Sequence, residues 1–228
     1  MKSISFFKKA ILPILLLLTI DQLIKILVKT NMGYNEHLHI FGENQRWAQI
    51  HFIENPGMAF GFLFGGMNGK IILSLFRIVA IIGLTWYLFV ISKRQYPRIA
   101  IISVIFILAG AMGNLLDSAF YGLMFDSGMT YNAELQTWIP YSGISQMNFE
   151  GYAGFLKGSV VDMFYFPMID GHFPAWFPNW SWWPMKGGEP FLFFSPVFNF
   201  ADSMIFIGVV LIFIFRKKFV NPQTIAVN

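Results

Sequence analysis

The chain reads as an all-α integral membrane protein: four transmembrane helices carrying a small extracytoplasmic β-sheet and a long extracytoplasmic insertion. Three observations predict this. Of its 228 residues, 56% are hydrophobic and only 12% charged, against about 25% charged in an ordinary soluble domain. Four apolar runs, roughly 10–28, 71–91, 99–116 and 197–215, are long enough to cross a bilayer, which takes about 20 residues. Finally, basic residues flank these runs on one side only. Lys2, Lys8 and Lys9 precede the first; Lys93, Arg94 and Arg98 lie between the second and third; Arg216, Lys217 and Lys218 follow the fourth. These are nine of the 16 Lys and Arg, with no acidic residue among them, so the positive-inside rule puts both termini and the short loop in the cytoplasm. The net charge of +4 thus describes topology and not nucleic-acid binding.

Each element follows in order. Lys8-Lys9 and ILPILLLLTI imitate a cleavable signal peptide, but no small-x-small site follows and the apolar pattern continues through Asp21 to Val28. The run is therefore expected to stay as a span. In the exterior segment 29–70, WAQIHFIEN alternates like a strand and PGMAFGFLFGG reads as tight turns, which predicts a small sheet at the outer surface. The second span contains Arg77, for which the sequence offers no partner and a structural role is the default. The third carries Ala109, Gly110 and Gly113, small residues that let another helix approach closely. The second exterior segment, 118–196, includes HFPAWFPNWSWWPMKGG, whose aromatic density suits an interfacial belt. Short strands or helices against the outer leaflet are expected in it, because a structureless loop of that length is unusual. No internal repeat or separate soluble domain is visible, so residues 1–228 form one membrane-embedded domain.

Polar residues intrude on this apolar background, and a carboxylate in or beside lipid is a functional-site candidate by default. Asp21 and Lys25 lie i,i+4 in the first run, spaced for an ion pair. Asn114 and Asp117 close the third run at i,i+3, and Asn199 and Asp202 open the fourth at the same spacing, so each pair projects on one side. Asp162 sits in VVDMF. All fall toward the outer face, which predicts one shared pocket. Asp21–Lys25 reads as a structural pair, Asn114 and Asn199 as hydrogen-bonding links between helices, and Asp117 as an orienting carboxylate.

Two carboxylates in one small site cannot both ionise easily. One can then act as general base on water while its protonated partner polarises a carbonyl. The chain has no Cys, which excludes disulfides and thiolate chemistry, and His37, His39, His51 and His172 lack metal-ligand spacing; no metal and no cofactor is expected. The residues alone leave a proton- or ion-coupled carrier open as the alternative, with a non-catalytic scaffold as a third reading. The carboxylates lie at the outer interface and not at the midplane, which favours chemistry on an arriving substrate.

At this point the motifs resemble a family, lipoprotein signal peptidase (signal peptidase II). The matching blocks are DQLIK (Asp21–Lys25), ENPGMAFG (Glu54–Gly61), GNLLD (Gly113–Asp117), VVD (Val160–Asp162) and FNFADS (Phe198–Ser203). They occur in the family's order and topological places. The resemblance implies a bacterial, four-span aspartic endopeptidase of the cytoplasmic (inner) membrane, monomeric, with its active site near the outer leaflet. Its substrates are prolipoproteins presented in membrane lipid, cleaved just before a diacylglyceryl-modified cysteine. It implies Asp162 and Asp202 as the catalytic dyad. Asn55, Gly57, Asn114, Asp117 and Asn199 are implied as supporting or pocket residues, with Asp21 and Lys25 as the polar pair of the first span. Inhibition by globomycin-type cyclic peptides is also implied. Two features depart from the family. An arginine usually follows the GNxxD aspartate, but here that position is Ser118, with Lys157 as a weak candidate replacement. The stretches 117–162 and 162–202 are also longer than usual.

Overall fold

The structure is a computed structural model that describes residues 2–42, 45–57, 66–180, 185–193 and 196–219. Its first element, α1 (Lys2–Asn31), is a continuous helix whose inward face is a stripe at helical spacing. Ala10, Ile14, Leu18, Asp21, Lys25 and Lys29 are all buried along it, while Leu12, Leu15, Leu16, Leu23 and Leu27 stand exposed. The stripe changes from apolar to polar halfway along. That division splits the interior into an apolar bundle core and a polar site above it.

Strands β1 (His37–His39) and β2 (Gln49–Asn55) follow, then α2 (Gly66–Lys93) and α3 (Arg98–Leu116). The third apolar helix does not stop at 116. It continues through a π-helical turn (Asp117–Tyr121) into α4 (Gly122–Met124), forming one apolar helix from Arg98 to Met124. A π turn is a wide turn that frees carbonyls from the helical ladder, and such turns occur often at functional sites. Here Gly158 N donates to Ser118 O at 2.9 Å and Ala153 N to Gly122 O at 2.9 Å. The exterior insertion is thereby docked onto the end of the helix.

The insertion contains the hairpin β3 (Thr130–Asn132) and β4 (Thr137–Ile139), the strand β5 (Val160–Tyr165), and the hairpin β6 (Ile169–His172) and β7 (Pro190–Phe193). The expected sheet is present, and its third strand comes from this insertion: the order is β1-β2-β5, antiparallel, with Asn55 opposite Val160 and Ile53 opposite Asp162. Alternation along β5 sends Val161 and Met163 into a cluster with Met32, Phe52, Tyr121 and Phe125. Asp162 faces the other way, toward the helices.

The last helix, α5 (Phe200–Ile214), has 15 residues and is about 22 Å long at 1.5 Å per residue. It starts later than the apolar run 197–215 suggests, because Asn199 is its N-cap with extended backbone. The first three apolar helices are long and apolar enough to cross a membrane; α5 is a shorter apolar helix. It lies against α3 through Gly110, where a Cβ would collide with Ala201 O, so the small-residue face of the third run is where α5 seats. Ala10, Ile14, Leu18, Leu88, Ile101, Val104, Leu108, Ala109, Ala201 and Met204 form the apolar core of the bundle.

Candidate functional site

Five separate stretches of chain converge where α1, α3 and α5 meet the sheet. From α1 come Asp21, Gln22 and Lys25. The Lys25 ammonium lies 3.1 Å from Asp21 Oδ2 and 2.8 Å from Asp117 Oδ2, all fully buried. The i,i+4 pair read from the sequence is therefore one edge of a triad, and its shorter contact crosses to the third helix. Asp117 also accepts from Gln22 Nε2 at 2.9 Å and from Val161 N at 3.2 Å. This carboxylate holds the strand that carries Asp162 against the end of α3, an orienting role.

Two asparagines link the triad to the remaining carboxylates. Lys25 Nζ donates to Asn114 Oδ1 at 3.0 Å, and Asn114 Nδ2 donates to Asp202 Oδ1 at 2.8 Å. Asn199 Nδ2 donates to Asn114 Oδ1 at 3.1 Å and to Asp162 Oδ1 at 2.6 Å. Asn199 is also half of a capping box: Asp202 N donates to Asn199 Oδ1 at 2.9 Å, and the Asp202 side chain accepts in return from the Asn199 N–H. The i,i+3 spacing of these two residues serves a helix start, where orphan N–H groups and the helix dipole favour a carboxylate.

Asp162 and Asp202 share this network but differ in environment. Asp162 is on strand β5, within the insertion where short strands or helices are expected. It is 3% exposed, and Asp202 is half-buried. Burial, reinforced by the charge of Asp202, pushes the Asp162 carboxyl up to about 8, against the opposing effects of Lys25 and hydrogen bonds from Asn199 and Asn55. Asn55 ends β2; its Oδ1 also accepts from Gly57 N at 2.9 Å in a tight turn where Gly57 adopts φ +110°. The rest of ENPGMAFG, residues 58–61, lies outside the described residues.

All nine residues singled out from the sequence fall in or beside this one network. Other residues take part as well. Gln22 bridges Asp21 and Asp117, and Tyr121 donates to its Oε1 at 3.1 Å. Lys29, placed by sequence in the exterior, lies on the buried stripe of α1 and pairs with Glu54, which also accepts from Met129 N at 2.8 Å and Tyr141 Oη at 3.2 Å. Its i,i+4 spacing from Lys25 was the available signal. On α2, Lys70, Ser74 and Arg77 recur at i, i+4 and i+7, a polar stripe facing inward. Lys70 donates to Pro56 O at 3.2 Å and Ser74 to Leu156 O at 3.4 Å. Arg77 Nη1 donates to Ser118 Oγ at 3.0 Å. The partner that Arg77 lacked in sequence is thus the residue standing where the resemblance calls for arginine.

Comparison with known proteins agrees with this architecture. Two solved structures of bacterial membrane enzymes, determined by the in meso method, share the fold. One aligns with TM-score 0.52 and 21% identity over 92% of each chain, the other with TM-score 0.54 and 22% identity over 95% of this chain and 93% of that one. The lipoprotein signal peptidase of Porphyromonas gingivalis is 46% identical over 91% of this chain and 82% of its own length. That of Amoebophilus asiaticus is 31% identical over 89% and 75%. Residues 13–217 match the family described as signal peptidase (SPase) II, and with nearly the whole chain covered by that match, the protein belongs to the signal peptidase II family.

Proposed function

We propose that this protein is a four-span aspartic endopeptidase that removes the signal peptide from prolipoproteins, cutting just before the diacylglyceryl-modified cysteine. Family membership supports the substrate class. The observation that carries the chemistry is the joining of Asp162 and Asp202 through Asn199 and Asn114, with unequal burial of the two carboxyls. Asp162, neutral near pH 7 with its carboxyl raised to about 8, donates a hydrogen bond to the scissile carbonyl oxygen. Asp202, capped into the start of α5, is the general base and takes a proton from the attacking water. The hydroxide adds to the carbonyl carbon; Asp202 then returns its proton to the leaving amine as the C–N bond breaks. Neither step needs a metal or a side-chain nucleophile.

In this reading residues 1–228 form one domain with spans near 10–28, 71–91, 99–116 and 197–215, both termini in the cytoplasm of a bacterial inner membrane. The site then lies near the outer leaflet, where the substrate's acyl chains reside. Asn55 and Gly57 would contact the bound peptide or a globomycin-type inhibitor. Trp176 and Trp180, both exposed between β6 and β7, suit a headgroup-level anchor; Trp182 and Trp183 of the same tract lie outside the described residues. The test is cleavage of a diacylglyceryl-prolipoprotein by purified, reconstituted protein. Asp162→Asn and Asp202→Asn should each lower kcat by at least about a thousandfold while remaining inserted. Cleavage at the wild-type rate by either variant overturns the dyad.

A further inference from the structure

A cation in a membrane helix needs a reason, and Arg77 has none within its own helix. Among the described residues no carboxylate lies within ion-pair distance of its guanidinium. Among the described residues its side chain hydrogen-bonds to Ser118 Oγ, the first residue after Asp117 in the π turn, and Ser118 in turn donates to Asn114 O at 3.1 Å. Three acidic groups act on it electrostatically: Asp117 of the π turn, Asp202 of α5 and Asp162 of β5. The neighbouring cation on its own helix is Lys70. Asp21, Lys25 and Tyr121 belong to the same network on the α1 side.

Charge balance assigns the role. The site gathers four carboxylates, Asp21, Asp117, Asp162 and Asp202. Its central cation, Lys25, is committed by direct contact to Asp21 and Asp117. Among the described residues, Lys25 makes no ion pair with Asp202, which it reaches only through Asn114. A guanidinium has five N–H donors in a planar fork, and Ser118 takes one.

Resting on the dyad reading above, we propose that Arg77 is the positioning cation of the site: anchored on Ser118, it holds the dyad in its singly ionised form and steadies the turn that carries Asp117. It acts from the second helix, through the carboxylates, without touching the scissile bond.

The test is the pH profile of kcat for reconstituted protein on a lipidated prolipoprotein, comparing wild type, Arg77→Met, Arg77→Lys and Asp162→Asn. Removing a nearby cation disfavours every ionised carboxylate, so both apparent pKa values of the dyad rise. Arg77→Met should therefore move the whole activity bell to higher pH by roughly one unit. It should also lower kcat about tenfold or more, with KM changed less than about threefold. Arg77→Lys, which keeps the charge, should hold the bell in place. An unmoved bell in Arg77→Met overturns the proposal, as does an equal displacement in the Lys variant, which would mark a packing role. Should Arg77→Met fail to insert, Ser118→Ala carries the test: loss of the anchor should move the bell in the same direction by less, and an unmoved bell again overturns the proposal. Activity in Asp162→Asn defeats the dyad reading itself, whereas an inactive Asp162→Asn with an unmoved Arg77→Met bell removes Arg77 alone.

Discussion

Asp162 illustrates how a single side chain can be set against stability. Its carboxyl is buried and protonated up to about pH 8, whereas in the unfolded chain it would release its proton near pH 3.9. Between those values the folded state binds a proton that the unfolded state does not, so its contribution to stability is present at low pH and is lost as pH rises through that window. Asparagine at this position carries no such penalty and still accepts from Asn199 through its Oδ1. Asp162→Asn is therefore expected to melt higher than wild type, by an amount that grows from pH 5 to 8 and then levels off, at about 2–4 °C per kcal/mol for a chain of this size. Thermal unfolding in one detergent across that range checks it; a difference independent of pH would mean that the carboxyl is not raised.

At the scale of elements, the site depends on how a strand meets a helix. Phe164 N donates to Phe198 O at 2.7 Å and Phe198 N returns to Phe164 O at 3.0 Å, which ties the end of β5 to the start of α5. The next residue, Asn199, caps the helix and reaches both Asp162 and Asn114. Its two tasks separate by experiment. Loss of a helix cap costs about 1 kcal/mol, but loss of the bridge leaves Asp162 with Asn55 alone of its two asparagine donors and Asp202 without its brace. Asn199→Ala is expected to lower kcat by about a hundredfold or more while the melting temperature falls only a few degrees. Asn199→Ser, which keeps a cap but is too short to bridge, should recover stability and not activity. Parallel recovery of both would show that Asn199 acts through the helix start alone.

The whole molecule divides into an apolar bundle and a polar site capped by the insertion. The Lys29–Glu54 pair joins them: Lys29 rises from α1, Glu54 sits on β2, and Met129, Tyr141 and the Ser127 carbonyl of the insertion complete the contact. Breaking a buried pair by removing one partner costs about 3–5 kcal/mol, so the exterior segments are bound to the membrane helices and are not a loose appendage. In the proposed topology the nine basic residues that flank the apolar runs face the cytoplasm. A reporter fused after residue 228 is expected to be active when it is of the cytoplasm-dependent kind, and silent when it requires export. The opposite pattern would invert the molecule and move the site to the inner leaflet.

Apolar run length, one-sided basic charge and the strand alternation of WAQIHFIEN determine much by themselves, because each is a local property with a strong solvent or steric cause. So does the pooling of Asp21, Asn114, Asp117, Asn199 and Asp202, since helical spacing and depth already bring them to one level. Only the tertiary structure decided that Asp162 lies on a strand, that the insertion supplies that strand, and that the third helix passes through a π turn beyond Leu116. An apolar hexamer such as VVDMFY fits a buried helix or a buried strand equally well, and its pairing with β2 spans more than a hundred residues of sequence. The partner of Arg77 was hidden for the same reason. Hydrogen bonds between helices depend on which faces meet, and no spacing along one chain segment records that.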